Sequence, residues 1–212
     1  MAPGVQPHLA LKELYSTLEE ARADLVALYF VADAKMVELD LVPAAEHADI
    51  VRAEYESYAR NALVQLRRVR EGTTIEEDHM RNRQLIVHWL LANSGAIEIR
   101  RRDGKTYHVV ADVEAFREGA GRLLADVQRI KSEGDYAAAQ KLFDTYGVHF
   151  DPALRDEIVA RVDKLNLPSY TGFVMPKLTP VADAKGVISD VTISYPLDLT
   201  TQMLDYGRLR RP

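Results

Sequence analysis

The sequence predicts a mainly α fold of the α+β kind: a helical domain with one β-hairpin and an additional C-terminal strand. Three observations carry this reading. Apolar residues recur with the 3.6-residue period through most of the 212 residues. One Asp103-Gly104 pair separates two alternating runs, and the late stretch "GVISDVTISYP" alternates as a strand does. The expected organisation is one mostly helical domain over residues 1–212, with helices over 11–95, the hairpin over 96–110 and further helices over 111–168. An extended segment, a strand and a short helix are expected over 169–212.

The elements follow in order. Ser16 to Glu19 reads S-x-x-E, a capping box that would satisfy the free amides of a helix start. Leu18, Ala21, Leu25, Leu28 and Val31 or Ala32 keep helical spacing, so a helix is expected over about 17–32, continuing briefly through "AKMVEL". A second helix is expected from Asp49 to Val69, on Val51, Tyr55, Tyr58, Ala62, Leu66 and Val69, with Gly72 ending the run. Thr73 with Glu76, or Thr74 with Glu77, is another T-x-x-E start, and the helix it opens runs to a stop at Gly95. Its second half is apolar all round and should be buried.

"AIEIRRRDGKTYHVV" is the hairpin, since Asp-Gly suits a two-residue turn. Residues 112–132 form an amphipathic helix on Val113, Phe116, Leu123, Leu124, Val127 and Ile130. Two more helices follow in "GDYAAAQKLFDTYG" and "DPALRDEIVARVDKLNL", bounded by Gly134, Gly147 and Pro152. "SYTGFVMPKLTPV" is punctuated by proline and reads as extended, and "LDLTTQMLDYGRL" reads as a short C-terminal helix.

Composition narrows the function classes. With 47% hydrophobic and 28% charged residues the chain has the profile of an ordinary globular protein. It has no cysteine, which excludes thiolate zinc sites and cysteine nucleophiles, so a metal or catalytic site must be built from His, Asp and Glu. A net charge of -5 argues against nucleic-acid binding, and the basic runs "RRVR" and "RRRDGK" read as solvated surface. The opening residues lack a cationic and apolar leader pattern, and no stretch is apolar enough for a membrane span. A cytoplasmic location without membrane partners is therefore expected.

Three carboxylates, Glu19, Glu20 and Asp24, crowd the first turns of an otherwise hydrophobic helix. Glu20 and Asp24 are four apart and face the same way, where like charges cost a few tenths of a kcal/mol. Capping and the helix dipole account for Glu19 but poorly for Asp24, which stands beside Leu25 and Val26. Arg22 is badly spaced to serve Glu20 or Asp24, so a cation from outside the helix, either a side chain or a metal, is the better answer. A solvated acidic face is the competing reading. His79, near the start of its helix with Arg83 one turn on, is either a partly exposed histidine without a role or a neutral donor in a site.

"EEARAD" (19–24) followed by "LVALYF" resembles the second zinc motif, E-E-x-R-A-[ED], of the dipeptidyl peptidase III family of zinc metallopeptidases. The resemblance continues through "EYESYARNALVQLRRV", "IEEDHMRNRQLIVHWL", "GDYAAAQKLFDTYGV" and "YTGFVMP", and is strongest with bacterial members. It implies that Glu20 is a zinc ligand, with Glu19 and Asp24 hydrogen-bonded to zinc-ligating histidines, a partnership that fixes the histidine tautomer. It implies that His79 helps hold the substrate and stabilise charge at the scissile carbonyl, and that Arg83 is a candidate substrate-binding residue. The implied reaction is zinc-assisted release of dipeptides from the amino ends of peptides.

The family's first motif, HExxGH, supplies two histidine ligands and the general base, and this chain does not contain it. His8, His47, His79, His88, His108 and His149 include no pair spaced as two ligands on one helix. The chain thus reads as the C-terminal portion of such a peptidase, binding zinc weakly or not at all and inactive without the missing N-terminal half. The alternative is a non-catalytic helical interaction domain derived from the same fold.

Overall fold

The structure, a computed structural model, describes residues 6–166 and 174–209. The chain divides into two compact units, Met1–Leu165 and Asn166–Pro212.

The first unit begins with α1 (Pro7–Leu11), α2 (Leu14–Phe30), α3 (Lys35–Glu38) and α4 (His47–Val64), the last running into a 3₁₀ turn at Gln65–Arg68. Next come α5 (Asp78–Asn93), the strands β1 (Ile97–Arg102) and β2 (Lys105–Val110), then α6 (Val113–Glu133), α7 (Tyr136–Tyr146) and α8 (Pro152–Leu165). Helix α5 is the centre of this unit. Its Leu85, Ile86, Val87 and Leu90 are all fully buried, as the apolar second half of its sequence requires. Around them pack Leu18, Leu25 and Leu28 of α2, Tyr55 of α4, and Phe116, Leu123 and Val127 of α6. The Tyr55 and Phe116 rings stack at 4.0 Å, and the Tyr55 hydroxyl donates to the Leu28 carbonyl at 2.9 Å. The polar tip of Tyr55 is thereby satisfied.

The hairpin forms in the expected register, from Ile97 opposite Val110 to Arg102 opposite Lys105. Asp103 (φ 50°) and Gly104 (φ 70°) both take the left-handed conformation that a tight two-residue turn demands. Glu157 of α8 accepts from both the amide and the hydroxyl of Thr106, each at 2.7 Å, and so ties α8 to β2.

Two helix starts differ from the sequence reading. Helix α2 begins at Leu14 with Glu13 in helical conformation and no side-chain cap, so Ser16 and Glu19 lie inside it and form no capping box. The chain enters α2 directly from α1 through one left-handed residue, Lys12 (φ 52°), and the Tyr15 amide is already bonded to the Lys12 carbonyl. Nor do Thr73 and Thr74 open a helix. The Ile75 amide donates to the Val148 carbonyl at 2.9 Å and the Phe150 amide to the Thr73 carbonyl at 3.2 Å, so this stretch pairs with the segment between α7 and α8. Helix α5 starts later, capped by Glu77, which accepts from the amides of His79 (3.1 Å) and Met80 (2.8 Å).

The second unit holds β3 (Lys177–Ala182), β4 (Ile188–Ser194) and α9 (Leu199–Leu209). The strands pair antiparallel from Lys177 opposite Ser194 to Ala182 opposite Ile188, with an irregularity between Val181 and Ala182. The late strand is therefore one of a pair, its partner being the proline-punctuated stretch read only as extended. Pro180 is tolerated because a two-stranded sheet has only edges. The Gln202 side chain of α9 both accepts from the Met175 amide and donates to its carbonyl, at 2.7 and 2.8 Å. Residues 169–173 of the expected extended segment lie outside the described residues.

Candidate functional site

The site residues named from sequence stand where the early turns of α2 cross the first turns of α5. Thr17 of α2 donates its hydroxyl to the Asp78 carboxylate, which locks the two helices at this level. One turn on, Glu20 Oε2 lies 3.3 Å from His79 Nδ1. Both side chains remain open to solvent, His79 at 61% and Glu20 at 37% exposure, so the pair can be reached from outside. Packing two amphipathic helices against the same core brings them together, because their polar flanks meet at the rim.

Glu19 turns away from that pair. It accepts from Arg22 at 3.1 and 3.2 Å and from Lys131 of α6 at 2.7 Å. Burial pushes the Glu19 carboxyl up, but the hydrogen bonds from Arg22 and Lys131 outweigh it and hold the group below its ordinary value. The cation from outside the helix was expected for Glu20 and Asp24, but Lys131 reaches Glu19 instead.

Asp24 is met by a phenol instead. The Tyr58 hydroxyl of α4 donates to Asp24 Oδ2 at 2.8 Å. Burial, and then the nearby Asp24 charge, push the Tyr58 phenol well above its ordinary pKa, so it stays protonated and able to donate. On its far side Tyr58 lies 3.4 Å from Asn82 Oδ1. Asn82 is fully buried, and among the described residues its Nδ2 has no hydrogen-bond partner. Arg83 donates to Gln65 Oε1 at 3.0 Å and lies over the Tyr58 ring, 5.8 Å from its centroid. Gln65 in turn donates to the Met80 carbonyl at 3.0 Å, which fixes the Arg83 partner to the helix that carries Arg83.

The structure thus joins Glu20 to His79, and Asp24 through Tyr58 to the Arg83 side of α5, while Glu19 bonds elsewhere. Tyr58 and Asn82 were not singled out from sequence. Tyr58 fits the apolar period of its helix and reads as core, and Asn82 carries one visible signal, an amide in a helix turn that is otherwise turning inward. Among the described residues no group of three or more His, Cys, Asp or Glu side chains could hold one metal ion. Zinc in a catalytic site takes three protein ligands and a water, so the described residues do not by themselves fit that ion.

Comparison with known proteins bears on the chain as a whole. Residues 2–163 match the family model described as Peptidase family M49. The chain is similar to "Dipeptidyl peptidase 3" of Homo sapiens, 26% identical over 204 residues covering 86% of this chain and 28% of that protein. It is also similar to "Dipeptidyl peptidase 3" of Mus musculus, 26% identical over 168 residues covering 72% of this chain and 23% of that protein. The solved structure of DPP III from Caldithrix abyssi superposes with a TM-score of 0.56 at 26% identity, over 74% of this chain and 27% of that one. The chain therefore spans under a third of the length of the relatives it matches.

Proposed function

The chain belongs to peptidase family M49, and from that premise we propose that it contributes one side of a zinc site that releases dipeptides from the amino ends of peptides. The observation that carries this reading is the approach of Glu20 and His79 to 3.3 Å on an open face, the two residues that the family resemblance assigns to zinc and to substrate.

Glu20 supplies one carboxylate ligand, and two histidines from an HExxGH segment supply the others. Asp24 offers a carboxylate oxygen to the far nitrogen of one such histidine. Glu19 can serve the other only by sharing, since Arg22 and Lys131 already bond both of its oxygens. A carboxylate has about four acceptor positions, so sharing is chemically open. His79 stands 3.3 Å from Glu20 and is exposed enough to donate to a peptide carbonyl. Arg83 backs this face through Gln65. Bound zinc would supply Lewis acidity, and the general base belongs to the HExxGH glutamate, so this chain by itself carries out no hydrolysis.

The test is reconstitution. The chain alone, then the chain joined to an HExxGH-bearing segment of a relative, is assayed for dipeptide release from a short peptide in the presence of zinc. The proposal expects release only from the joined form, and at least a tenfold loss of it in Glu20→Gln and His79→Ala. Release by the chain alone, or full activity in joined Glu20→Gln, would contradict it. A joined form that folds and holds no zinc would favour a non-catalytic interaction domain.

A further inference from the structure

Tyr58 stands between two acceptor oxygens, Asp24 Oδ2 at 2.8 Å and Asn82 Oδ1 at 3.4 Å. A phenol has one proton to give. The carboxylate takes it, because it is the nearer acceptor and bonds to ionised acceptors are about twice as strong as neutral ones. Asn82 Oδ1 is then left facing a lone pair of Tyr58. At the same time Asn82 Nδ2, with two protons, is buried and unpartnered. A buried donor left without an acceptor is costly, because it loses its water partner on folding.

Half a turn of the Asn82 amide gives Nδ2 an acceptor and relieves the lone-pair contact with Tyr58. Its oxygen and nitrogen are nearly the same size, and which is which follows from the surrounding hydrogen bonds. After the turn, Nδ2 donates to the Tyr58 oxygen, which keeps its own proton for Asp24. The amide oxygen gives up only a 3.4 Å contact in which no proton was available to it.

We propose that Asn82 and Tyr58 form a one-way hydrogen-bond relay, Asn82 Nδ2–H to Tyr58 Oη–H to Asp24 Oδ2, which holds the Asp24 carboxylate in one orientation. Tyr58 and Asn82 are positioning residues in this account. Neither reaches the open face; they act on it through Asp24. Each bond in such a chain polarises the next, so the donation reaching Asp24 is stronger than an isolated phenol would give. Among the described residues Tyr58 is the hydrogen-bond partner of Asp24, so the second carboxylate oxygen stays available to a histidine N–H from outside this chain. Arg83, stacked on the Tyr58 ring, limits tilting of the phenol on that side.

The purpose given to Asp24 rests on the proposed function, but the relay is read without metal or substrate. The experiment is solution NMR on the metal-free full chain. In the unmodified protein the Asn82 side-chain amide protons should show contacts to the Tyr58 ring and hydroxyl protons and slow exchange with solvent. Scalar couplings should report a single side-chain rotamer for Asp24. In Tyr58→Phe, Asp24 should average over rotamers and the Asn82 amide should exchange at least tenfold faster, with backbone amide shifts elsewhere in the unit unchanged. In Tyr58→Phe/Asn82→Leu both ends of the orphaned contact are gone, so the thermal midpoint should recover toward that of the unmodified chain.

Asn82 amide protons without contact to Tyr58 in the unmodified chain would overturn the relay, and that measurement needs no variant to fold. A single Asp24 rotamer persisting in Tyr58→Phe would overturn the positioning role. An intact relay in a joined protein that binds no zinc would instead overturn the proposed function and leave the relay standing.

Discussion

Glu19 illustrates how a residue's role depends on what lies across from it. From sequence it is a capping-box glutamate. In the fold it is an interior residue of α2 whose carboxylate bonds Lys131 of α6 at 2.7 Å, a partner more than a hundred positions away that no local pattern announces. Gly119 of α6 makes the same point through space rather than charge. A Cβ there would lie 2.6 Å from Leu90 Cδ2 and 2.9 Å from Ser94 Cβ. Gly→Ala inside a helix normally gains about 1 kcal/mol, but overpacking a full core costs about 1–3 kcal/mol. Gly119→Ala should therefore lower the urea midpoint, by about 1 kcal/mol or somewhat more in stability. An unchanged or raised midpoint would mean that making room between α5 and α6 costs no more than the helix-propensity gain. Asp24 was better marked in the sequence, since its position beside Leu25 and Val26 already required a partner, though not one that could be named as Tyr58.

At the scale of elements, the hairpin was legible because Asp103 and Gly104 must both adopt positive φ, and few residue pairs do so readily. The start of α5 was not. Both T-x-x-E matches were real as patterns, but Thr73 and Ile75 spend their backbone groups on Phe150 and Val148, and helix and ladder cannot use the same amides. Glu77 caps instead, so Glu77→Ala should cost about 1 kcal/mol in thermal or urea unfolding, whereas Glu76→Ala should change little. Helix α5 also carries His88, whose ring lies 6.5 Å from that of His108 on β2. Burial, and then the neighbouring His108, push His88 down to about 4, against the opposing bond to the Tyr146 backbone. Its folded value is below its unfolded value, so the unfolded chain binds the extra proton between about pH 6.5 and 4. Stability should be fully present above that window and fall as the pH drops through it, by at most about 3.4 kcal/mol. Chemical denaturation at a series of pH values checks this, and His88→Gln should flatten the slope.

For the molecule as a whole, the helical class and the order of helices could be read from the apolar period and the glycine and proline boundaries, and the motif named the candidate site residues. What could not be read was the meeting of Glu20 with His79, because it depends on how α2 and α5 pack on one core and not on anything within either segment. The same packing explains why Tyr58 looked like an ordinary core residue. The proposed role of Glu20 is that of a zinc ligand in a site that this chain does not complete. Equilibrium dialysis against zinc tests it most directly, with the chain alone, the chain joined to an HExxGH segment, and the joined Glu20→Gln variant. About one zinc per joined molecule is expected, close to none on the chain alone, and at least a tenfold weaker affinity in joined Glu20→Gln, as three-ligand coordination requires. Stoichiometric zinc retained by the chain alone, or undiminished affinity in joined Glu20→Gln, would contradict it.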